Sequence, residues 1–337
     1  MSFATRIPYL PKTTGTLSAP FLLRSSDVSV VVPVRDNRSG AQRLLGSLVL
    51  TGASPREVIF VDNLSGVPLR LNAEQAPFPV RVATCDTPGP ASARNAGAAL
   101  ASGDWLLFLD SDCIARPRLI EQYARHLDGS LAYAGGVTAL GSDPLSAYYQ
   151  SQEILVPRHV EPGRPHYLVT ANALVWREAF ERVDGFDEGY PSAAGEDVDL
   201  GLRLGALGRL AYADSAIVAH DFGDGWSGFA RRFVRYGAGN RRVGDRFGVD
   251  MTPRPFAPNR RSVFNWVVAA AQYALLWWGY HSAEFSTLSR SRMLRATSMS
   301  CRVAERAAIR PSPNGGAKPF DSRRDLSSAN HSVARPK

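Results

Sequence analysis

Val28-Ser29-Val30-Val31-Val32 is a β-branched run stopped by Pro33, and Glu57-Val58-Ile59-Phe60-Val61 is a second one stopped by Asp62-Asn63. Branching at Cβ favours extended backbone, so both runs read as strands. Between them, Ala41 to Leu50 carries Leu44, Leu45, Leu48 and Val49 at the spacing of one helix face. Strand, helix, strand in that order leaves few folds open, because parallel neighbours need a crossover and a helix is the usual one. The alternation continues with a short strand at Val80-Arg81-Val82-Ala83 and an alanine-rich helix from Ala91 to Ala101. Trp105-Leu106-Leu107-Phe108-Leu109, bounded in front by Ser102-Gly103-Asp104, is then a buried strand. The expected class is α/β with a parallel beginning.

Ligands of such sheets bind beyond the carboxyl ends of the strands. Pro33 to Asn37, Asp62 to Ser65 and Asp110 to Asp112 all fall there, so three separate segments are expected to form one polar rim. Asp110-Ser111-Asp112 is its most informative part. Two carboxylates emerging together from a buried strand can share one hard cation, Mg²⁺ or Mn²⁺, that also holds the phosphates of a nucleotide. The alternative for the tripeptide alone is a solvated loop with two charges.

The longer series resembles the inverting nucleotide-sugar glycosyltransferases of family 2, which have the GT-A fold. It runs Val30-Val31-Val32-Pro33, Val58-Ile59-Phe60-Val61-Asp62, Gly89-Pro90-Ala91-Ser92-Ala93-Arg94-Asn95-Ala96-Gly97 and Phe108-Leu109-Asp110-Ser111-Asp112. Gly185-Phe186-Asp187-Glu188 and Gly195-Glu196-Asp197-Val198-Asp199-Leu200 with Arg203 complete it, and the whole covers roughly residues 27 to 221. The resemblance implies a Rossmann-like mixed sheet flanked by helices and a sugar moved from a nucleotide diphosphate, a UDP-sugar by preference, to an acceptor hydroxyl. By resemblance Asp112 binds Mn²⁺ or Mg²⁺, Asp110 lies in the ribose and metal shell, and Asp62 and Asn63 contact the base, with the backbone around Pro33. The family often has two consecutive acids after the second strand. Here the second is Asn63, whose amide both donates and accepts and so can read the edge of a pyrimidine.

Other residues keep two readings each. Arg94, on a helix opened by Gly89-Pro90, is either a phosphate ligand or a surface arginine. Glu196 and Asp197 suit the first turn of any helix, ahead of Val198, Leu200, Leu202 and Leu204 as its buried side. The resemblance makes Asp197 the general base, with Glu196 orienting the acceptor or substituting for it. His220, after the expected strand Ala216-Ile217-Val218-Ala219, is a hydrogen-bonded structural residue or, by resemblance, a third metal ligand. Trp226 and Phe229 either stack on sugar or belong to the core.

Charge adds an argument about location. The net charge of +8 is uneven: residues 1–226 hold 19 Lys/Arg against 25 Asp/Glu, residues 227–261 hold 9 against 2, and residues 281–337 hold 11 against 4. Between the two basic stretches lies an uncharged segment, Ser262 to Tyr280, in which Asn265, Gln272 and Gly279 recur every seven residues. It is a buried helix, an interfacial membrane helix or a short span. Basic flanks on both sides favour an anionic cytoplasmic membrane surface over a simple span. Arg231-Arg232-Phe233-Val234-Arg235-Tyr236 interleaves arginine and aromatics as nucleic-acid binders do, but no nucleic-acid motif accompanies it and Phe233 and Tyr236 are at helix spacing for packing. No nucleic-acid partner is expected.

Met1 to Ser26 shows no secretory pattern, and Cys85, Cys113 and Cys301 lack metal-ligand spacing. The expected organisation is an N-terminal extension (1–26), a GT-A domain (27–250), a helical segment that is the candidate for membrane association (251–310) and a disordered tail (311–337). The expected enzyme is cytoplasmic and peripheral to the inner face of the cell membrane, acting on a glycan, glycolipid or lipid-linked acceptor in cell-surface polysaccharide or glycolipid assembly. A sugar-phosphate nucleotidyltransferase and a non-catalytic sugar-nucleotide or glycan-binding subunit are the alternatives. The first lacks its glycine-rich signature, and the second is opposed by the four acids Asp110, Asp112, Glu196 and Asp197 occurring together.

Overall fold

A computed structural model of the 337-residue chain describes residues 17–290, apart from 53, 158, 166 and 191. The expected tail from Pro311, Cys301, most of the second basic stretch and residues 1–16 lie outside the described residues. After a 3-10 turn at Ser25–Asp27, the chain forms β1 (Val28–Val34), α1 (Arg38–Leu50), β2 (Glu57–Asp62), β3 (Val80–Thr84), α2 (Pro90–Leu100), β4 (Trp105–Leu109), β5 (Cys113–Ala115) and α3 (Leu119–Arg125). It continues through β6 (Ala132–Leu140), α4 (Pro144–Ser151), β7 (His159–Glu161), β8 (Arg164–Pro165), β9 (Asn172–Trp176), α5 (Arg177–Arg182), α6 (Glu196–Leu207), β10 (Leu210–Asp221), α7 (Gly225–Phe247) and α8 (Val263–Arg290).

Eight strands form one sheet in the order β3-β2-β1-β4-β9-β6-β10-β5, and β7 pairs with β8 separately. The first four are parallel, as the strand–helix alternation requires, while β9 runs antiparallel to both β4 and β6 and makes the sheet mixed. Every residue of β2 and β4 is buried, which is why their sequences are almost uninterrupted apolar runs. Pro33 does not end β1, which runs on to Val34 opposite Asp62. It sits where pairing with β4 has already stopped, at Val31 opposite Phe108, so its missing N–H interrupts no bond on that side. The sheet therefore parts between β1 and β4 at their carboxyl ends, and that crevice is where an open α/β sheet binds ligands. Helix α2 packs close beside it because Gly97 has no side chain: a methyl there would lie 2.5 Å from Val31 Cγ1 and 3.1 Å from Val61 Cγ2.

At the C-terminal end of the described chain, α7 and α8 pack together over an aromatic cluster that includes Tyr148, Tyr149, Phe222, Phe229 and Phe233. Phe229 is therefore core, whereas Trp226 is more than half exposed and lies edge-on to Phe229 and Phe264. No helix among the described residues is long and apolar enough to cross a membrane, so the short-span reading of Ser262 to Tyr280 is not met. The seven-residue stripe proves to be the packed face of α8: Asn265 and Gln272 are buried, and a methyl on Gly279 would collide with the Val234 carbonyl of α7. The arginine–aromatic run likewise resolves into helix faces, with Arg231 exposed, Arg232 and Phe233 buried, and Tyr236 edge-on to Phe233.

Candidate active site

The acidic tripeptide leaves β4 in a tight turn closed by Cys113 N–H donating to the Asp110 carbonyl at 3.1 Å. The Asn37 side chain, which also caps α1 by accepting from Gly40 N–H, donates to Ser111 Oγ at 3.1 Å and so ties this turn to the β1 loop. The next three residues form β5, too short to stand out in the sequence, which pairs antiparallel with the end of β10 and sets His220 opposite Cys113. Asp221 N–H donates to the Asp112 carbonyl at 2.9 Å, and the His220 Nε2 lies 3.3 Å from Asp112 Oδ1. His220 is thus the penultimate residue of a long strand and is brought to Asp112 by sheet pairing.

Asp112, Cys113 and His220 offer ligand atoms within 4.8 Å of one another. Asp112 Oδ1 is buried without a hydrogen-bond partner and faces His220 Nε2, so an acceptor oxygen and an imidazole nitrogen stand where one cation could join them. Burial raises the Asp112 carboxyl above its ordinary range, with the His220 ring opposing and Asp110 reinforcing that rise. The Cys113 thiol is pushed well up by burial and by the two aspartates, so it stays protonated and is a poor ligand for a hard ion. The residues present fit a divalent cation held by Asp112 and His220. Asp110 is not part of that cluster: its Oδ1 accepts from Arg94 Nη2 at 2.7 Å.

Arg94 has partners that its sequence position does not reveal. Expected to hold phosphate or to lie on the surface, its side chain is only 3% exposed and bridges two loops, with Nη1 donating to Glu196 Oε1 at 2.9 Å as well as Nη2 to Asp110. Burial opposes its charge, but Asp110, Glu196 and Asp197 more than offset that and keep the guanidinium ionised. The neighbouring Asn95 closes a second contact, accepting from Phe186 N–H and donating to the Phe186 carbonyl, both at 2.9 Å. Gly185, at φ +64°, makes that approach possible, since a methyl there would press on Asn95 Oδ1. Arg94 and Asn95 therefore join the acidic turn, the Gly185–Glu188 loop and the start of α6 to one helix.

Glu196 and Asp197 are the first two residues of α6, preceded by Gly195 in the left-handed region. The inward side of the helix is Leu200, Leu204 and Leu207, while Val198 and Leu202 lie part-buried beside Tyr190, Val243 and Phe247. Asp199 is fully buried and anchors the turn, bonded to Arg203 Nε at 2.6 Å, Tyr190 OH at 3.2 Å and Arg246 Nε at 3.0 Å. Asp197 accepts a bond from Val198 N–H and keeps partial contact with solvent. Burial and then the Glu196 charge push its carboxyl up to about 7 although Arg94 pulls the other way. Glu196 is also raised by burial despite Arg94 beside it. An acid poised near neutrality and open to the crevice can accept a proton at physiological pH.

The base-side rim is more fully occupied than expected. Asp62 uses both oxygens on the following turn, accepting from Ser65 N–H at 3.1 Å and Leu69 N–H at 2.8 Å, and these bonds hold it below its ordinary range against the effect of burial. Asn63 donates to the Cys85 and Thr87 carbonyls and accepts from Gly89 N–H. Its amide has no donor left for a base edge, and its evident work is to fix the loop that opens α2. Two residues of the run read for packing also reach the crevice. The Arg232 guanidinium lies 5.1 Å from the centroid of each ring of the stacked Tyr149–Phe222 pair, donates to the Tyr149 hydroxyl at 2.8 Å, and its charge lowers the Asp112 carboxyl. Burial raises the Tyr236 phenol, and the charges of Asp197 and Asp110 add to that rise. Their i, i+4 spacing was the available signal, since it sets both on one face of α7.

A family model for glycosyl transferase family 2 matches residues 29–184. The pre-mycofactocin glycosyltransferase of Mycobacterium tuberculosis is 36% identical over 213 residues, spanning 58% of this chain and 43% of that protein. The O-antigen biosynthesis protein RfbC of Myxococcus xanthus is 30% identical over 221 residues, 58% of this chain and 17% of its own length. The match thus spans less than half the length of these relatives. Among solved structures, the mannosyltransferase PcManGT from Pyrobaculum calidifontis, determined with GDP-Man and Mn²⁺, superposes with a TM-score of 0.51 over 85% of this chain and 80% of its own at 16% identity, a likeness of fold. Sheet order, acidic motifs and sequence match agree: residues 29–184 match glycosyl transferase family 2, and the mixed sheet around them is of the GT-A kind.

Proposed function

We propose that the chain transfers a sugar from a nucleotide-diphosphate donor, a UDP-sugar by preference, to an acceptor hydroxyl with inversion at the anomeric carbon. The observation that carries this reading is the convergence of Asp112 with His220 and of Asp110, Arg94, Glu196 and Asp197 on one crevice at the carboxyl ends of the sheet. Asp112 and His220 would hold the divalent ion. A bound ion supplies positive charge to the departing diphosphate, and a carboxylate with an imidazole suits Mn²⁺ better than Mg²⁺, which prefers oxygen ligands. The relative of known structure determined with Mn²⁺ and GDP-Man supports this choice of ion and donor class.

Asp197 takes the proton of the acceptor hydroxyl as its oxygen forms the new bond to the anomeric carbon. The bond from that carbon to the diphosphate oxygen breaks on the opposite face, and its electron pair leaves with the nucleoside diphosphate. Glu196 carries a buried charge paired to Arg94, so it orients the turn bearing Asp197. Asp110 is held by the same arginine. For the acceptor we infer a glycan, glycolipid or lipid-linked chain in cell-surface polysaccharide or glycolipid assembly, met by a cytoplasmic enzyme peripheral to the inner membrane face. The basic stretches around Ser262 to Tyr280 support it.

The test is release of nucleoside diphosphate from a panel of nucleotide sugars with Mn²⁺, with Mg²⁺ and with a chelator, for wild type and Asp112→Ala. Turnover that needs the metal and is lost in the variant is the expected result. Turnover of no donor, or turnover indifferent to both metal and Asp112, rejects the mechanism.

A further inference from the structure

Helix α8 is inverted relative to the usual helix on a water-exposed domain, whose polar side faces out. Its polar and small residues face the protein. Asn265 donates to the Arg260 carbonyl at 2.7 Å, Gln272 accepts from the Tyr148 hydroxyl at 2.6 Å, and Gly279 meets the backbone of α7 at Val234. From the α7 side, Gly237 meets the α8 backbone at Leu276 in the same way. Large apolar residues face outward: Val263 is 85% exposed, Trp266 50%, Val267 64%, Trp277 45% and Trp278 63%. Their steps of three, four, ten and eleven residues keep them along one side of the helix. Phe264 and Trp226, ring centroids 6.1 Å apart, extend this face onto the first turn of α7.

Helices that touch through glycines and buried polar bonds while presenting large apolar groups outward are adapted to a hydrocarbon-bearing neighbour. An apolar face of this extent rimmed by charge marks an interaction surface. The rim here is basic. Arg231, Arg260 and Arg261 are exposed, and none pairs with a carboxylate among the described residues. Residues 227–261 hold 9 arginines against 2 acids. Tryptophan beside arginine is the composition that settles at a bilayer's headgroup layer, where the indole has an apolar body and a polar N–H.

We propose that the outward face of α8, continued by Phe264 and Trp226, docks on an anionic phospholipid bilayer, with the tryptophans in the headgroup layer and Arg231, Arg260 and Arg261 on the lipid phosphates. The inference rests on the reading of a membrane-peripheral glycosyltransferase and supplies its surface. Since no described helix can cross a bilayer, α8 lies along the membrane. Trp226 follows closely on His220 and Asp221 at the end of β10, so the docked face reaches the edge of the crevice. A lipid-linked acceptor would then meet Asp197 without leaving the surface.

The experiment is flotation of the full chain with vesicles of phosphatidylcholine alone and of equal parts phosphatidylcholine and phosphatidylglycerol, at low and high salt. It is paired with the variant Trp266→Ser/Trp277→Ser/Trp278→Ser. The intact chain should float with the anionic vesicles, less so in salt, and its tryptophan emission should shift to the blue. The triple variant should lose at least about tenfold in partitioning with an unchanged melting temperature, because its three side chains are already exposed. Failure of the intact chain to bind, or equal binding by the variant, overturns the proposal. Two other results also overturn it by assigning a different occupant. One is a concentration-dependent dimer, by sedimentation, that the variant abolishes; the other is crosslinks from α8 to residues 291–337 that persist on vesicles. Donor turnover measured without lipid separates the two readings: its absence strikes the transfer chemistry and leaves the vesicle result standing.

Discussion

Replacing Arg94 by leucine should reveal how much the crevice depends on one buried cation. The substitution removes bonds to Glu196 and Asp110, whose exposures differ sharply: Glu196 has 3% of its side chain open to solvent and Asp110 has 30%. Water can screen Asp110, so the cost falls mainly on Glu196, which is left charged and unpaired inside the protein. Breaking a buried pair by removing one member typically costs about 3–5 kcal/mol. For a domain of this size about 2–4 °C is lost per kcal/mol, so the melting point should fall by roughly 6–20 °C. The sign with pH follows from Glu196, whose folded pKa already lies above its ordinary value through burial. Below the unfolded carboxylate range it is neutral in both states and imposes no penalty. The penalty grows as pH rises from there toward its folded pKa. The destabilisation of Arg94→Leu should therefore shrink on acidification, and Arg94→Leu/Glu196→Gln should be more stable than the single variant at pH 7. Melting curves of the three proteins across pH decide it. A single variant within about 1 kcal/mol of wild type, or a double variant no more stable than the single one, would refute the assignment of the cost to an orphaned Glu196.

Asp197→Asn should lower kcat about 10²–10⁴-fold and erase the acidic limb of the kcat/KM profile, which in the wild type should fall below about 7; a limb that survives in the variant assigns it to another group. Because the folded pKa of Asp197 is raised, its ionisation opposes folding above the ordinary Asp range, so the same variant should melt higher than wild type at pH 8 and converge with it in acid. Gly279→Val should drive side-chain atoms into the Val234 carbonyl and cost about 1–3 kcal/mol or more by urea denaturation; a neutral result would mean that α7 and α8 are not in backbone contact.

What could be read from the sequence was whatever repeats along it. The parallel beginning followed from strand runs and one helix face, because burial on the two sides of a central strand writes itself into consecutive residues. Short and antiparallel elements leave no such record: β5 has three residues, yet it brings His220 to Asp112. Nor could sequence say where a charged side chain finds its partner. Arg94 lies 102 positions from Glu196, and Asn63 lies 26 from the Gly89 amide it accepts from, so the buried clamp and the fixed loop both looked like ligand contacts. The stripe of Asn265, Gln272 and Gly279 was visible as a period but not as a direction. Polar residues on an apolar helix suggest an outward face, whereas here the neighbouring helix supplies their partners.

Consecutive residues on a helix diverge by about 100°, so Arg94 and Asn95 leave α2 in different directions and Gly97 leaves it in a third, against Val31. Each direction has a different counterpart: the acidic pair, the Gly185–Glu188 loop and the sheet. Together they fix the rotational phase of α2 as three teeth fix a key. A single residue inserted between Gly89 and Arg94 would turn all three out of register at once, so the helix can change its outer residues freely but not its angle.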